Sequence, residues 1–145
     1  YDCEQILEAD FEDLFIKHTN WSPRKARPYV VKNSEELEKK LTSDKVFVGV
    51  TATAGGFYGP QGRVLRIGLQ DDALNSKIDN FEFKGVRVTN LEMETSAIYG
   101  LAKLLGHNAC SMNAIIANRA NGTFSENPYK PVEELIVYTL NKLVS

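Results

Sequence analysis

Cysteine is scarce. Cys3 and Cys110 are the two in 145 residues, too few and too far apart for a disulfide framework or a zinc site. A reducing cytoplasm is the expected setting, and Cys110, in an apolar stretch, reads as a small core residue. Neither charge sign dominates. Lys plus Arg is 17, Asp plus Glu is 19, and the net charge is -2, which argues against nucleic acid or another polyanion as partner. No apolar run approaches the ~20 residues that cross a bilayer, so no membrane span is expected. The opening Tyr1-Asp2-Cys3-Glu4 lacks the basic region and apolar stretch of a signal peptide, and it lacks an initiator Met. His18 and His107 have no companion ligands at metal spacing. There is no G-x-S-x-G elbow, no Walker loop and no G-x-G-x-x-G, and the Gly55-Gly56 pair alone is a weak signal. Repeats and low-complexity segments are also missing. The remainder is ordinary: 43% apolar and 25% charged residues, in a length that suits one domain with a hydrophobic core.

Residues 1–27 read differently from the rest, as an arm or linker from a preceding, missing N-terminal part. Ile6-Leu7, Phe11 and Leu14-Phe15 sit at helical spacing among acids, so the stretch also fits an amphipathic surface helix. Trp21-Ser22-Pro23 and Arg27-Pro28 break it. From 28 to 145 strand and helix patterns alternate. Asn33-Ser34-Glu35-Glu36 offers a cap for a helix running to Leu41. The apolar, β-branched run Val46–Ala52 reads as a buried strand, followed by a glycine-rich loop. A short helix is expected over Asp71–Asn80, a second strand over Val86–Leu91 and a helix over Glu92–Leu105, closed by Gly106. Ala109–Ala117 reads as a third buried strand, Asn118–Lys130 as a polar loop, and Pro131 opens a closing helix through Leu143. This alternation implies an α/β fold with a largely parallel sheet. Ligands in such sheets bind beyond the carboxyl ends of the strands. Three segments are thereby candidates: Thr53–Arg63, Glu92–Glu94 and Asn118–Arg119.

In the first segment, Phe57 and Tyr58 offer flat faces for stacking, Gln61 one acceptor and two donors, and Arg63 a rigid fork of donors. Together they match a planar heterocycle with an imide edge, although a turn with incidental polar residues gives the same pattern. In the second, Glu92 and Glu94 lie two residues apart at a strand-to-helix junction, so they do not share a helix face. A carboxylate here can accept paired hydrogen bonds from vicinal hydroxyls, as a ribose presents. It can equally favour the helix N-terminus, and Thr89 with Glu92 fits a capping box. In the third, Ile115, Ile116 and Ala117 could wall a pocket, and Arg119 could pair with an acid or simply end a strand at the surface.

Four stretches carry a resemblance over roughly 28–145: Val48-Gly49-Val50-Thr51-Ala52, Phe57-Tyr58-Gly59-Pro60-Gln61-Gly62-Arg63, Glu92-Met93-Glu94-Thr95 and Ile116-Ala117-Asn118-Arg119. The chain resembles the nucleoside phosphorylase superfamily in its uridine phosphorylase branch, and corresponds to the C-terminal part of that domain. The F-Y-x-x-Q-x-R loop is the most specific of the four. The resemblance implies a three-layer αβα fold, here partial, and a pentosyltransferase that converts a nucleoside plus phosphate into ribose 1-phosphate and free base. It implies that Gln61 and Arg63 bind the uracil edge and that Phe57 packs near the nucleoside. Glu94 would hold the ribose hydroxyls, Met93 would lie against the sugar, and Ile116 and Ala117 would line the base pocket. Glu92 lies within the motif as a further contact. Arg63 and Glu94 would be the catalytic pair. Purine-specific relatives place an Asp after the third strand, where this chain has Ala117-Asn118, which disfavours purine. No metal or cofactor is implied, phosphate being a co-substrate. A homo-oligomer is expected. In the family the phosphate-binding glycine loop and arginines come from the N-terminal half and have no counterpart here, so this chain alone is not expected to turn over. Rival expectations are a nucleosidase, a phosphorylase for another nucleoside, a non-catalytic nucleoside-binding module and a structural fragment.

Overall fold

A computed structural model of the chain describes residues 3–118 and 121–145. A 3-10 turn at Cys3–Ile6 leads into α1 (Ala9–Thr19). Asn20 ends α1 in the left-handed conformation (φ 51°), its N–H reaching the carbonyls of Ile16 and Lys17. Its apolar side meets an aromatic cluster. Phe11 lies 5.1 Å from Phe81 and 5.0 Å from Phe83, and Phe15 lies 5.2 Å from Phe81 and 5.9 Å from Trp21, centroid to centroid. Each fully buried ring of this kind contributes roughly 1.5–3 kcal/mol. Glu12, 3% exposed, is buried at the edge of α1 and accepts from the Val30 N–H at 2.9 Å, with Arg27 Nε at 3.7 Å. The stretch expected as an arm is therefore packed against the body of the molecule.

Next comes α2 (Glu35–Leu41), capped as expected by Ser34, whose hydroxyl accepts from the Leu37 N–H. β1 (Val50–Thr53) pairs in parallel with β3 (Val86–Glu92). β1 is shorter than the apolar run promised. Gly49 backs onto Thr89, whose Oγ1 would lie 2.1 Å from an added Cβ, and the register shifts between Val50 and Thr51. Upstream of that irregularity Phe47 stands 97% exposed. α3 (Leu74–Asp79) is followed by β2 (Glu82–Phe83), which forms an antiparallel hairpin with β3. Lys84 and Gly85 turn it with φ of 51° and 80°, the positive pair that a two-residue hairpin needs. This strand has no counterpart in the sequence pattern, because two residues are too few to show alternation.

α4 (Thr95–Leu104) packs on β1, and Gly106 (φ 75°) follows its C-terminal end. The third buried strand expected over Ala109–Ala117 is a correction. Most of that run has no ladder partner and is held at separate points. The Ser34 N–H donates to the Ala109 carbonyl (2.8 Å), and the Ser111 N–H donates to Tyr99 Oη (2.6 Å). Its end, β4 (Ala117–Asn118), pairs antiparallel with β5 (Thr123–Phe124) in a separate two-stranded ladder. Apolar composition made the run look buried, but a strand also needs a neighbour, and sequence alone does not supply one. α5 (Tyr129–Val144) closes the chain against α2, and the Tyr138 hydroxyl donates to the Leu41 carbonyl at 2.7 Å. The architecture is α/β, as expected. Its core is small. Among the described residues Phe11, Leu41 and Phe81 are the buried hydrophobics, while Leu65, Ile67, Leu101 and Val137 are more than half exposed.

Candidate active site

The site is built where β1 and β3 end side by side. Thr53 is in register with Glu92, and the Ala54 N–H donates to the Glu92 carbonyl at 2.8 Å. Across this junction Thr53 Oγ1 donates to Glu92 Oε1 (2.5 Å) and accepts from the Ser96 N–H (3.0 Å). Glu92 Oε2 accepts from the N–H groups of Glu94 and Thr95, each at 2.7 Å. The Glu92 carboxylate thus ties together both strand ends and the N-terminus of α4, where a negative charge also meets the helix dipole. Burial pushes the Glu92 carboxyl up, but the bonds from Thr53, Glu94 and Thr95 outweigh it and hold its pKa below the ordinary glutamate value. The capping box expected from Thr89 and Glu92 is not what forms. Thr89 lies within β3, and Glu92 caps α4 from three residues ahead of Thr95.

Glu94 is placed differently. It is the N-cap residue of α4 but makes no side-chain cap bond. Its exposed carboxylate accepts from the Met93 N–H at 3.2 Å. Met93 beside it is 40% exposed. Of the two acids, one is consumed by the scaffold and the other faces outward, able to take the paired donors of a diol.

The loop after β1 forms its own compact unit. A 3-10 turn at Gly59–Gln61, with Pro60 near its start, is closed by Gly62 at φ 78°. The N–H groups of Gln61 and Arg63 both donate to the Tyr58 carbonyl (3.0 Å each). The fold of the turn brings Phe57, Gln61 and Arg63 together. The Arg63 guanidinium lies 3.6 Å above the Phe57 ring centroid. Its Nη1 donates to Gln61 Oε1 at 2.7 Å and to the Phe57 carbonyl. Gln61 is 4% exposed, so its amide is a fixed platform. Arg63 Nη2 and Nε make no bond among the described residues and remain as donors for a ligand. Phe57 stands half-exposed, with Tyr58 against it edge-on at 5.3 Å.

The structure therefore joins Glu92, Met93 and Glu94 to the root of the loop, and joins Phe57, Gln61 and Arg63 to one another. Ile116 and Ala117 lie at the start of the β4–β5 ladder, where the Ile116 carbonyl accepts from the Ser125 N–H (2.8 Å). Arg119 lies outside the described residues. A cavity of about 280 Å³ sits elsewhere, between residues 20–25 and 70–77, and includes none of these side chains. Among the described residues no group of three His, Cys, Asp or Glu is placed to hold a metal ion. Two roles went unassigned in the sequence. Thr53, which orients Glu92, has no local signal beyond its place at a strand end. Asn75 donates from Nδ2 to the Gln61 carbonyl (3.2 Å) across 14 residues, a contact no local pattern reveals.

Comparison with known proteins gives the same direction. Residues 8–143 match the Phosphorylase superfamily. The chain belongs to that superfamily. It is also 34% identical over 79 residues to a protein named uridine phosphorylase from Thermococcus kodakarensis. That match covers 54% of this chain and 28% of the relative. No solved structure matches. The superfamily match starts at residue 8, just ahead of α1, the helix whose aromatic residues pack against Phe81 and Phe83.

Proposed function

We propose that this chain supplies the base and ribose contacts of a uridine phosphorylase. Arg63 carries the proposal. A guanidinium stacked on Phe57 and bonded to a buried Gln61, with donors to spare, suits the carbonyl edge of a uracil. In phosphorolysis a phosphate oxygen attacks C1′ of the ribose as the C1′–N1 bond breaks. The electron pair stays on the base, spreads over its carbonyl oxygens and is neutralised by a proton from solvent. Donors from Arg63, held by Gln61, would face negative charge that grows toward the transition state, where their contribution is largest. Glu94 would accept the 2′ and 3′ hydroxyls and fix the sugar for in-line attack, with Met93 against the ring. Glu92 would act through position: its bonds to Thr53, Glu94 and Thr95 set the direction of the Glu94 side chain. Ile116 and Ala117 would complete the base pocket once another surface closes over it.

The reaction also needs a phosphate site. The exposed apolar side chains at Leu65, Ile67, Leu101 and Val137 favour a further part of the same protein, or a second copy, packing on this one and carrying it. In this reading 28–145 is the C-terminal part of the phosphorylase domain, and the working enzyme is an oligomer in the cytoplasm. The test is uracil release from uridine by the protein with and without phosphate. Release only with phosphate supports the proposal. Release without phosphate indicates a nucleosidase, and binding without release a nucleoside-binding module.

A further inference from the structure

We propose that Asn75 is a positioning residue for the base-recognition loop, and that α3 transmits to that loop the order of the N-terminal aromatic cluster. The proposal rests on the uridine phosphorylase reading for its substrate, but not for its structural content. Asn75 Nδ2 donates to the main-chain carbonyl of Gln61 at 3.2 Å. Gln61 and Arg63 flank Gly62, so this bond grips the turn that aims both side chains. The same amide occupies the space above Gly62. A Cβ there would sit 2.2 Å from Asn75 Nδ2 and 3.0 Å from its Cγ. With φ at 78°, Gly62 is therefore kept as glycine by backbone and by neighbour together. A donor is required at position 75, because a carbonyl oxygen faces it.

α3 is itself anchored at its other end. His18 Nε2 donates to the Lys77 carbonyl (3.0 Å), and the His18 ring packs on Phe81 at 5.4 Å. Lys77 Nζ bonds Asp71 Oδ2 at 2.8 Å, and Asp71 Oδ1 accepts from the Ala73 N–H at 3.1 Å at the start of the helix. A continuous path thus runs from α1 through His18, Lys77 and Asn75 to Gln61. The loop adds bonds of its own, three turn bonds to Tyr58 and Gly59 and the Arg63 bond to the Phe57 carbonyl.

Three variants of the protein test this: Asn75→Ala, Asn75→Asp and Asn75→Gln. The first two should raise the KM for uridine about three- to tenfold, the range one neutral hydrogen bond accounts for. The KM for phosphate should not move, and Asn75→Gln, which keeps the amide donor, should restore part of the loss. A merely structural role would lower stability and shift both KM values together. Amide hydrogen exchange at Gly62 and Arg63 gives a readout that needs no activity, and it should quicken in Asn75→Ala. If uridine is not a substrate of the wild type, exchange alone decides. Unchanged exchange overturns the proposal, as does an unchanged uridine KM in a protein that does cleave uridine. In a double-mutant cycle, Gly62→Ala should cost less in the Asn75→Ala background than alone, because the displaced amide is then gone. Full additivity would contradict the contact.

Discussion

At the scale of single residues, Glu92 and Glu94 show how two identical side chains two positions apart come to different ends. The register of β1 on β3 places Thr53 Oγ1 against Glu92 and leaves the Glu94 carboxylate outside that network. The sequence marked both acids and the junction they sit on. It did not say which was free, because the deciding partner lies 39 residues away. Glu92→Gln tests the difference. A carboxylate whose folded pKa is lowered stabilises the fold above its unfolded pKa, and that contribution fades as pH falls through the folded value. The melting-temperature gap between wild type and Glu92→Gln is therefore expected at neutral pH and should close in acid below the ordinary glutamate range. A gap that stays constant with pH would mean that the charge is not what matters. Arg63→Ala is expected to lower kcat/KM for uridine by about 2–4 kcal/mol, roughly 30- to 1000-fold, by analogy with loss of an oxyanion donor. Arg63→Lys should not restore it, since an ammonium cannot both stack on Phe57 and present a planar fork. Steady-state kinetics with saturating phosphate would show either result.

At the scale of elements, local signals worked where the element carried its own boundary. Ser34 capped α2 as its sequence implied, and Gly106 followed the end of α4. They failed where pairing decides. Val46–Gly49 is apolar yet lies outside β1, and most of Ala109–Ala117 has no strand beside it. The F-Y-x-x-Q-x-R loop was legible as a local unit because its residues fold back on one another within seven positions. Its support by α3 was not, since that depends on α1 and on Phe81. Phe11 is the centre of this support, in contact with Phe81 and Phe83 and 7% exposed. Phe11→Ala should cost about 3 kcal/mol or more of stability, as large-to-small changes at buried rings do. Urea unfolding would measure it. A loss below about 1 kcal/mol would show that α1 contributes little to the body, and would favour the reading of 1–27 as an arm.

At the scale of the whole molecule, the composition is that of a protein with a core, but the described structure buries few hydrophobic side chains. Apolar residues stand exposed on α4, on α5 and over 64–67, and under the proposed function a larger assembly covers them. Membership of the phosphorylase superfamily across 8–143 fits that picture. Among the described residues no helix is long and apolar enough to cross a membrane. The central claim is that Arg63, Gln61 and Glu94 serve the phosphorolysis of uridine. The most direct measurement is uracil release from uridine by the full-length protein in its native assembly, with phosphate varied from zero. Release that is absent without phosphate, saturates with it and falls steeply in Arg63→Ala is the predicted result. No release at any phosphate concentration, or release indifferent to Arg63, would contradict it.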